Sequence, residues 1–284
     1  MALTPASHRA PCPITGPLAR PSANAAGRPR QRVVARSQAA ASGGSGGSSG
    51  RLVLEPQQRS KLDQRSDSDF YSMPRFVHHL DANFRAQLTQ LYHERIPEGA
   101  AVLDLCSSWV SHLPNERRYA RVVGQGMNAA ELARNPRLDE WFVRDLNKEP
   151  SGWAAADGSF DAVLCVAGLQ YLQQPEAVLA EVRRVLKPGG IVIIAFSNRM
   201  FYDKAIAAWR DNSDWGRCSL VKTYLAAAGG FSEAEVVKRV ELPPGGAAAA
   251  AAGGPLERLQ AWAEQLLGGG GGRDPFYAVV ARKL

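Results

Sequence analysis

Apolar residues in this chain fall into short closed runs separated by stretches of helical spacing, and this alternation sets the fold class. From residue 101 onward the runs are Ala101–Leu105, residues 119–123, Glu140–Val143, Phe160–Val166 (FDAVLCV) and residues 191–196 (IVIIAF). Runs of four to seven residues with little polar alternation suit strands buried on both faces, as in a parallel sheet. Between them the spacing turns helical. Val178, Val182 and Val185 share one face of residues 174–186, and Asn128 is placed to cap a helix over residues 128–135. Upstream, Phe76, Leu80, Phe84, Leu88 and Leu91 predict an amphipathic helix over residues 74–95, closed by Pro97-Glu98-Gly99. Residues 113–118 read as a short helix or loop. Beyond Phe196 two helices are expected, over residues 203–210 and 217–228, then a final strand pair over residues 235–241 and 276–282. Strands alternating with helices predict an α/β domain with a mostly parallel sheet and helices on both faces.

Three regions break the pattern. Residues 1–50 form a leader ending in a Gly/Ser linker, residues 51–99 a lead-in with the amphipathic helix, and residues 100–284 the α/β domain. Within the last, residues 245–254 and 268–272 are low-complexity loops around a short helical patch at 256–267. Such loops are tolerated because loop closure entropy grows slowly with length. Net charge of +7 is concentrated at the front: residues 1–54 hold seven arginines and no Asp or Glu. Removing those seven from 34 basic residues leaves 27 basic against 27 acidic, so residues 55–284 are formally neutral. The basic pI is therefore no argument for nucleic acid, and no basic groove with interleaved aromatics is seen. The acid-free, Arg-, Ser-, Ala- and Pro-rich front instead reads as a transit peptide, with Val33-Val34-Ala35 as a processing site and the plastid stroma as destination. An ordinary disordered tail is the other reading.

No stretch approaches the ~20 apolar residues of a membrane span. Cys106, Cys165 and Cys218, the cysteines beyond the leader, have no CxxC spacing, which predicts reduced thiols and no metal site.

The candidate chemistry starts at Asp104. The run Ala101–Leu105 carries this acid and then breaks into Cys106-Ser107-Ser108, small residues that let a ligand approach the backbone at a strand's carboxyl end. A second landmark is LKPGG (residues 186–190), read as a helix end and a forced stop before the next strand. Strand–Asp104–small loop, a turn at Gly124, Asp145 after the third strand, FDAVLCV and LKPGG, in that order, resemble a class I S-adenosylmethionine (SAM)-dependent methyltransferase of the methyltransferase type 11 group. DLCSSWVSHLP, GQGMN, FSNRMF and FYAVVARK more narrowly resemble a plastid-targeted plant and algal subgroup. The resemblance covers about residues 70–284. It implies a Rossmann-like single domain with a seven-stranded sheet in the order 3-2-1-4-5-7-6, strand seven antiparallel. It also implies SAM as cofactor and a small-molecule acceptor. Asp104 with Leu105, Cys106, Ser107 and Ser108 would face the methionine moiety. Gly126, Met127 and Asn128 would lie at the ribose, Asp145 and Leu146 beside the adenine, and Cys165 and Val166 on the methyl side. Tyr171, Asn198 and Arg199 are candidates for the acceptor, with Arg199 suited to an anion. The resemblance gives no catalytic residue.

Two positions depart from the family pattern. The usual glycines after the first acid are replaced by Cys106-Ser107-Ser108-Trp109-Val110, so Trp109 must point away or wall the pocket. The usual ribose-holding acid is replaced by Gly126, for which Gln125 or Asn128 could substitute an amide. Several residues keep two readings: Asp104 as ligand contact or turn residue, Asp145 as adenine contact or cap, Tyr171 as pocket wall or packing. Trp209 and Trp215 could cover the acceptor or fill the core. His78 and His79 read as helix surface, and Cys106 as a packing residue. Two other functions compete. Gly124-Gln125-Gly126-Met127-Asn128-Ala129 fits G-x-G-x-x-A, with Asp145 following 21 residues after Gly124, as in an NAD-dependent oxidoreductase. The missing glycines and ribose acid also fit a methyltransferase-like protein that binds without catalysis.

Overall fold

A computed structural model of the chain describes residues 52–244 and 273–284. The expectations for residues 1–50, 245–254, 256–267 and 268–272 lie outside the described residues.

Strand β1, Ala101–Leu105, occupies the sheet centre because Val102 and Leu103 are buried from both sides. It pairs in parallel with β2 (Arg121–Gly126) on one edge and β4 (Phe160–Val166) on the other. β3 (Glu140–Val143) extends the sheet beyond β2, and β5 (Leu186–Phe196) extends it beyond β4. β7 (Tyr277–Arg282) runs antiparallel to both β5 and β6 (Glu235–Val237). The order is therefore β3-β2-β1-β4-β5-β7-β6, and the sheet is mixed, with β7 as its reversed strand. The leading crossover lies between β1 and β4, and there the carboxyl ends of neighbouring strands diverge to leave a crevice.

Helices cover both faces. On one, α4 (Pro175–Val185) and α6 (Asp214–Ala228) bury Val178, Val182, Val221 and Leu225 against Val163, Val192 and Val279. On the other, α2 (Ala82–Arg95) buries Phe84, Leu88 and Leu91 against Val102, Ile193 and Phe276, and α3 (Ala129–Arg134) adds Leu132. Short α1 (Asp67–Phe70) and α5 (Ala207–Arg210) belong to connecting segments.

Several boundaries differ from expectation, each for a local reason. The helix expected over residues 74–95 begins only at Ala82, because the Asp81 carboxylate accepts from Phe84 N and caps it there. Residues 71–81 instead cross over the sheet edge. β2 runs on through Gly124 and Gly126, which pair with Trp141 and Val143 of β3, rather than ending at residue 123. The helix before LKPGG ends at Val185. Leu186 already pairs with Phe160, and pairing resumes at Ile191 with Ala162, so Lys187-Pro188-Gly189-Gly190 bulges out of β5. Gly189, at φ +74°, supplies the left-handed residue this bulge needs. The expected helix over residues 203–210 splits into a single 3-10 turn, Tyr202–Lys204, and α5. The Lys204 side chain turns inward there, donating to Arg65 O at 2.6 Å and meeting Asp67 Oδ1 at 3.2 Å. Residues 113–118 form a loop, and the last pair is shortest at β6. Trp209 is core, edge-on to Phe196, while Trp215 is surface with Lys238 over its ring.

The lead-in is not a loose appendage. Arg59 forms a two-pronged pair with Glu176 of α4, at 2.7 and 2.9 Å, and Glu176 also accepts from Val53 N. Further on, Asp67 sits between two buried ammoniums, Lys61 and Lys204. Residues 52–81 therefore form a strap, tied at its base and laid over the carboxyl edge of the sheet.

Candidate functional site

Beneath the strap lies a cavity of about 820 Å³. Its floor is the carboxyl edge of β1, β2 and β4, with Asp104–Ser108, Gln125, Leu164 and Val166. Its roof is the strap, through Asp67, Tyr71, Arg75, His78 and His79. The loop after β5 closes the far side with Asn198, Arg199 and Phe201. That volume falls within the range of pockets built for one organic ligand.

The floor is organised around Asp104. Burial pushes its carboxyl up to about 6, although Ser111 and Ser107 hydroxyls donate to its Oδ2 at 2.6 and 2.7 Å and pull the other way. Both serines hydrogen-bond a single oxygen, and Oδ1 has no partner among the described residues. Beside it, Tyr92 Oη is buried in the cavity wall with no hydrogen-bond partner among the described residues. An acid and an orphaned hydroxyl in an apolar floor call for a polar or cationic ligand group.

The β1 loop takes over the work of the absent glycines. Cys106 adopts φ +53°, the left-handed region glycine normally fills, held by its N–H donating to Gln125 Oε1 at 3.0 Å. Ser107 N donates to Gln125 O at 2.7 Å. The Cys106 side chain fits because Gly168 has none: a Cβ there would collide with Cys106 Cβ and Sγ. Trp109 walls the site and clasps the strap, its Nε1 donating to Val77 O and its ring meeting His78 at 4.8 Å.

Two of the residues singled out in the sequence do not line the cavity. Gly126 is filled from behind, since a Cβ there would strike the Ser107 carbonyl. Cys165 points to the opposite face, into the α4 core, where the Cys106 thiol and burial push its own thiol up. The period-two alternation of β4 leaves Val166 in the cavity and turns Cys165 away. The amides suggested for the ribose are also committed elsewhere. Gln125 bridges Cys106 N and Arg144 O, and Asn128 caps α3 while donating to Tyr71 O and Ser72 O of the strap.

The others line it: Leu105, Cys106, Ser107, Ser108, Met127, Asn128, Asp145, Leu146, Tyr171, Asn198 and Arg199. Asp145 also caps its own turn, accepting from Asn147 N. Tyr171 both walls and braces: its ring faces the cavity, its Oη accepts from Phe201 N at 2.9 Å, and burial pushes it up to about 12. Arg199 is tied to Asp274 at 2.6 Å.

Four residues went unnoticed in the sequence or were misread. Glu131, on the first turn of α3, accepts from Ser108 Oγ at 2.5 Å and from Arg75 N at 2.7 Å, so a carboxylate stands at the β2 edge after all. His79 and Arg75 face the cavity instead of a helix surface, because the helix starts later than expected. His112 is held near 3 by burial, with Arg85 and His78 adding repulsion, and lines the cavity as a neutral imidazole. The signal available for the first was the N3 acid after an Asn cap; for the strap residues it was Asp81.

Among the described residues no helix is long and apolar enough to cross a membrane, and no group of three or more His, Cys, Asp or Glu is placed to hold a metal ion.

Residues 106–194, which build the cavity floor, match the family described as "Methyltransferase domain". The chain is 27% identical over 150 residues to a malonyl-[acyl-carrier protein] O-methyltransferase from Hahella chejuensis, covering 49% of this chain and 52% of that one. It is 31% identical over 106 residues to a ubiquinone biosynthesis O-methyltransferase from Pseudomonas aeruginosa, covering 36% and 46%. A solved S-adenosylmethionine-dependent methyltransferase from Mesorhizobium loti superposes with a TM-score of 0.42 at 16% identity, over 68% of this chain and 96% of that one. The chain spans about half the length of the curated relatives it matches. The matched segment begins just after β1 and takes in β2, β3, β4 and most of β5.

Proposed function

We propose that this protein is a SAM-dependent methyltransferase acting on a small, partly apolar acceptor in the plastid. The observation that carries the reading is that the matched segment, residues 106–194, supplies the loop after β1 and the ends of β2 and β4 to the floor of the cavity. The residues present fit the cofactor. Asp104 offers to an ammonium the carboxylate oxygen its serines leave, Tyr92 an orphaned hydroxyl, and Glu131 a carboxylate whose oxygens each already accept one bond and keep a second lone pair for a ribose hydroxyl. Asp145 and Leu146 line the same cavity and would take the base.

When bound, SAM supplies a methyl group on a sulfonium that is already a good leaving group. The protein's part is then to orient the acceptor and exclude water. The strap does the second by roofing the cavity. Tyr71, Trp109, Tyr171 and Phe201 do the first, as aromatic walls suited to a flat, partly apolar molecule. His79 is an imidazole at the cavity that can accept a hydrogen bond from the acceptor, whereas His112, held near 3, is too weak a base to take its proton.

The dinucleotide reading has less support. Gly126 makes room for the Ser107 carbonyl and Gly124 for the Leu138 side chain, so neither glycine is kept clear for a pyrophosphate. Calorimetric titration of the protein with SAM, S-adenosylhomocysteine and NAD tests this. Roughly micromolar binding of the sulfur ligands alone is expected. Binding of NAD alone would make the glycine pair the true fingerprint, and binding of none would favour a methyltransferase-like binding protein. Plastid routing rests on the acid-free composition of residues 1–50, and a fluorescent fusion of that segment tests it.

A further inference from the structure

At the end of the cavity under the strap, Arg75 is a half-buried cation with no counter-ion among the described residues. Its guanidinium carbon lies 4.6 Å from the Phe70 ring centre, 5.5 Å from Phe201 and 5.9 Å from Tyr71. Nη2 donates to Phe70 O at 3.0 Å, and the backbone N–H is taken by Glu131. Nε and Nη1 make no hydrogen bond to the described residues, and no carboxylate among them pairs with this guanidinium. Two other arginines of the wall are paired with carboxylates: Arg199 with Asp274, and Arg144 with Glu149. Ring stacking offsets part of the cost of desolvating a guanidinium, and its planar fork, with Nε and Nη1 left over, matches the geometry of a two-oxygen anion.

The neighbouring groups favour the same ligand. His79 lies edge-on to Phe201 at 5.6 Å. Burial holds its imidazole below the usual value, and Arg75, His78 and Arg199 reinforce this while Glu131 opposes it. A neutral ring there adds no competing positive charge and can accept a hydrogen bond. The Glu131 oxygens already serve Ser108 and the Arg75 backbone. The rings that grip Arg75 include Phe201 and Tyr71, which also wall the cavity, so an acid bound to the fork would carry its flat body against them.

We propose that Arg75 is the anion subsite of this cavity and takes the acid group of the acceptor, which makes the substrate class a flat, partly apolar molecule bearing a carboxylate or equivalent oxyanion. The proposal rests on the methyltransferase reading, whose cofactor has a carboxylate of its own, so the test separates the two sources. Full-length protein, Arg75→Gln and the charge-keeping Arg75→Lys are titrated with S-adenosylhomocysteine and with 5′-methylthioadenosine, which lacks the amino acid. Each S-adenosylhomocysteine complex is then titrated with benzoate and with its neutral counterpart benzamide.

The expected result is about a tenfold preference for benzoate in the wild type, the worth of one charge-assisted hydrogen bond. That preference should vanish in Arg75→Gln and partly return in Arg75→Lys, with S-adenosylhomocysteine affinity unchanged throughout. Equal binding of benzoate and benzamide by the wild type overturns the proposal. So does an Arg75→Gln variant that weakens S-adenosylhomocysteine but not 5′-methylthioadenosine, because the fork then belongs to the cofactor. A wild type that binds neither nucleoside removes the methyltransferase reading, and this proposal falls with it.

Discussion

Asp104 carries two opposing influences, burial that favours its neutral form and two serine hydroxyls that favour its charge, and burial wins by enough to bring it to about 6. A carboxyl raised in the folded state stabilises the protein fully below its unfolded value near 4, and that contribution is lost as pH rises through about 6. A cationic ligand has the opposite preference, since it needs the ionised form. Affinity for S-adenosylhomocysteine should therefore weaken as pH falls below about 6, and Asp104→Asn should abolish that dependence along with about tenfold or more of the affinity at neutral pH. A flat pH profile in the wild type would remove Asp104 from the ligand. The acid itself was legible in the sequence, because an apolar run ending in Asp and small residues has few structural uses. Its serine partners were not, since Ser111 reaches it only through a loop whose path periodicity does not encode. Cys165 was misjudged for a simpler reason: a strand buried on both faces gives no polar residue from which to read the side its cysteine takes.

At the scale of elements, one cap decides what enters the site. Asp81 starts α2 about two turns after the apolar spacing suggests, and the residues released from the helix become the cavity roof. Phe76 and Leu80 kept helical spacing by coincidence with their packing, so periodicity alone could not reveal the break. By contrast β1, β3 and β4 were legible to the residue, because closed apolar runs flanked by turn residues leave little freedom. Asn128 joins α3 to the strap in one side chain, its Oδ1 capping the helix and its Nδ2 holding Tyr71 O and Ser72 O. Asn128→Ala should cost about 1–2 kcal/mol in denaturant unfolding, the worth of a lost cap plus lost hydrogen bonds. Hydrogen exchange should quicken in residues 71–81 more than in α2, and equal protection in both would mean the strap is held by other contacts.

For the molecule as a whole, the sheet supplies a rigid floor and the lead-in supplies the cover, tied to it by charge more than by apolar area. Asp67 is the knot, with Lys61 at 2.5 Å, Lys204 at 3.2 Å and Asn147 Nδ2 at 2.8 Å. Removing its charge leaves two buried ammoniums opposed by Asp63 alone, at 3.6 Å from Lys204. Asp67→Asn is thus expected to destabilise by roughly 3 kcal/mol, measured by chemical unfolding. A loss below about 0.5 kcal/mol, the scale of an ordinary surface change, would show the knot to be dispensable. The anchoring of the strap also bears on time. A ligand resting on the β1–β2 edge has the strap above it, and leaving means parting the bonds from Glu131 to Arg75 and from Asn128 to Tyr71 and Ser72. Residence of the deep ligand is then set by how often residues 71–81 lift, whereas a molecule at the aromatic mouth can come and go while the strap stays down. The expected consequence is a fixed order of binding, deep ligand first and last to leave, which product-inhibition kinetics would check.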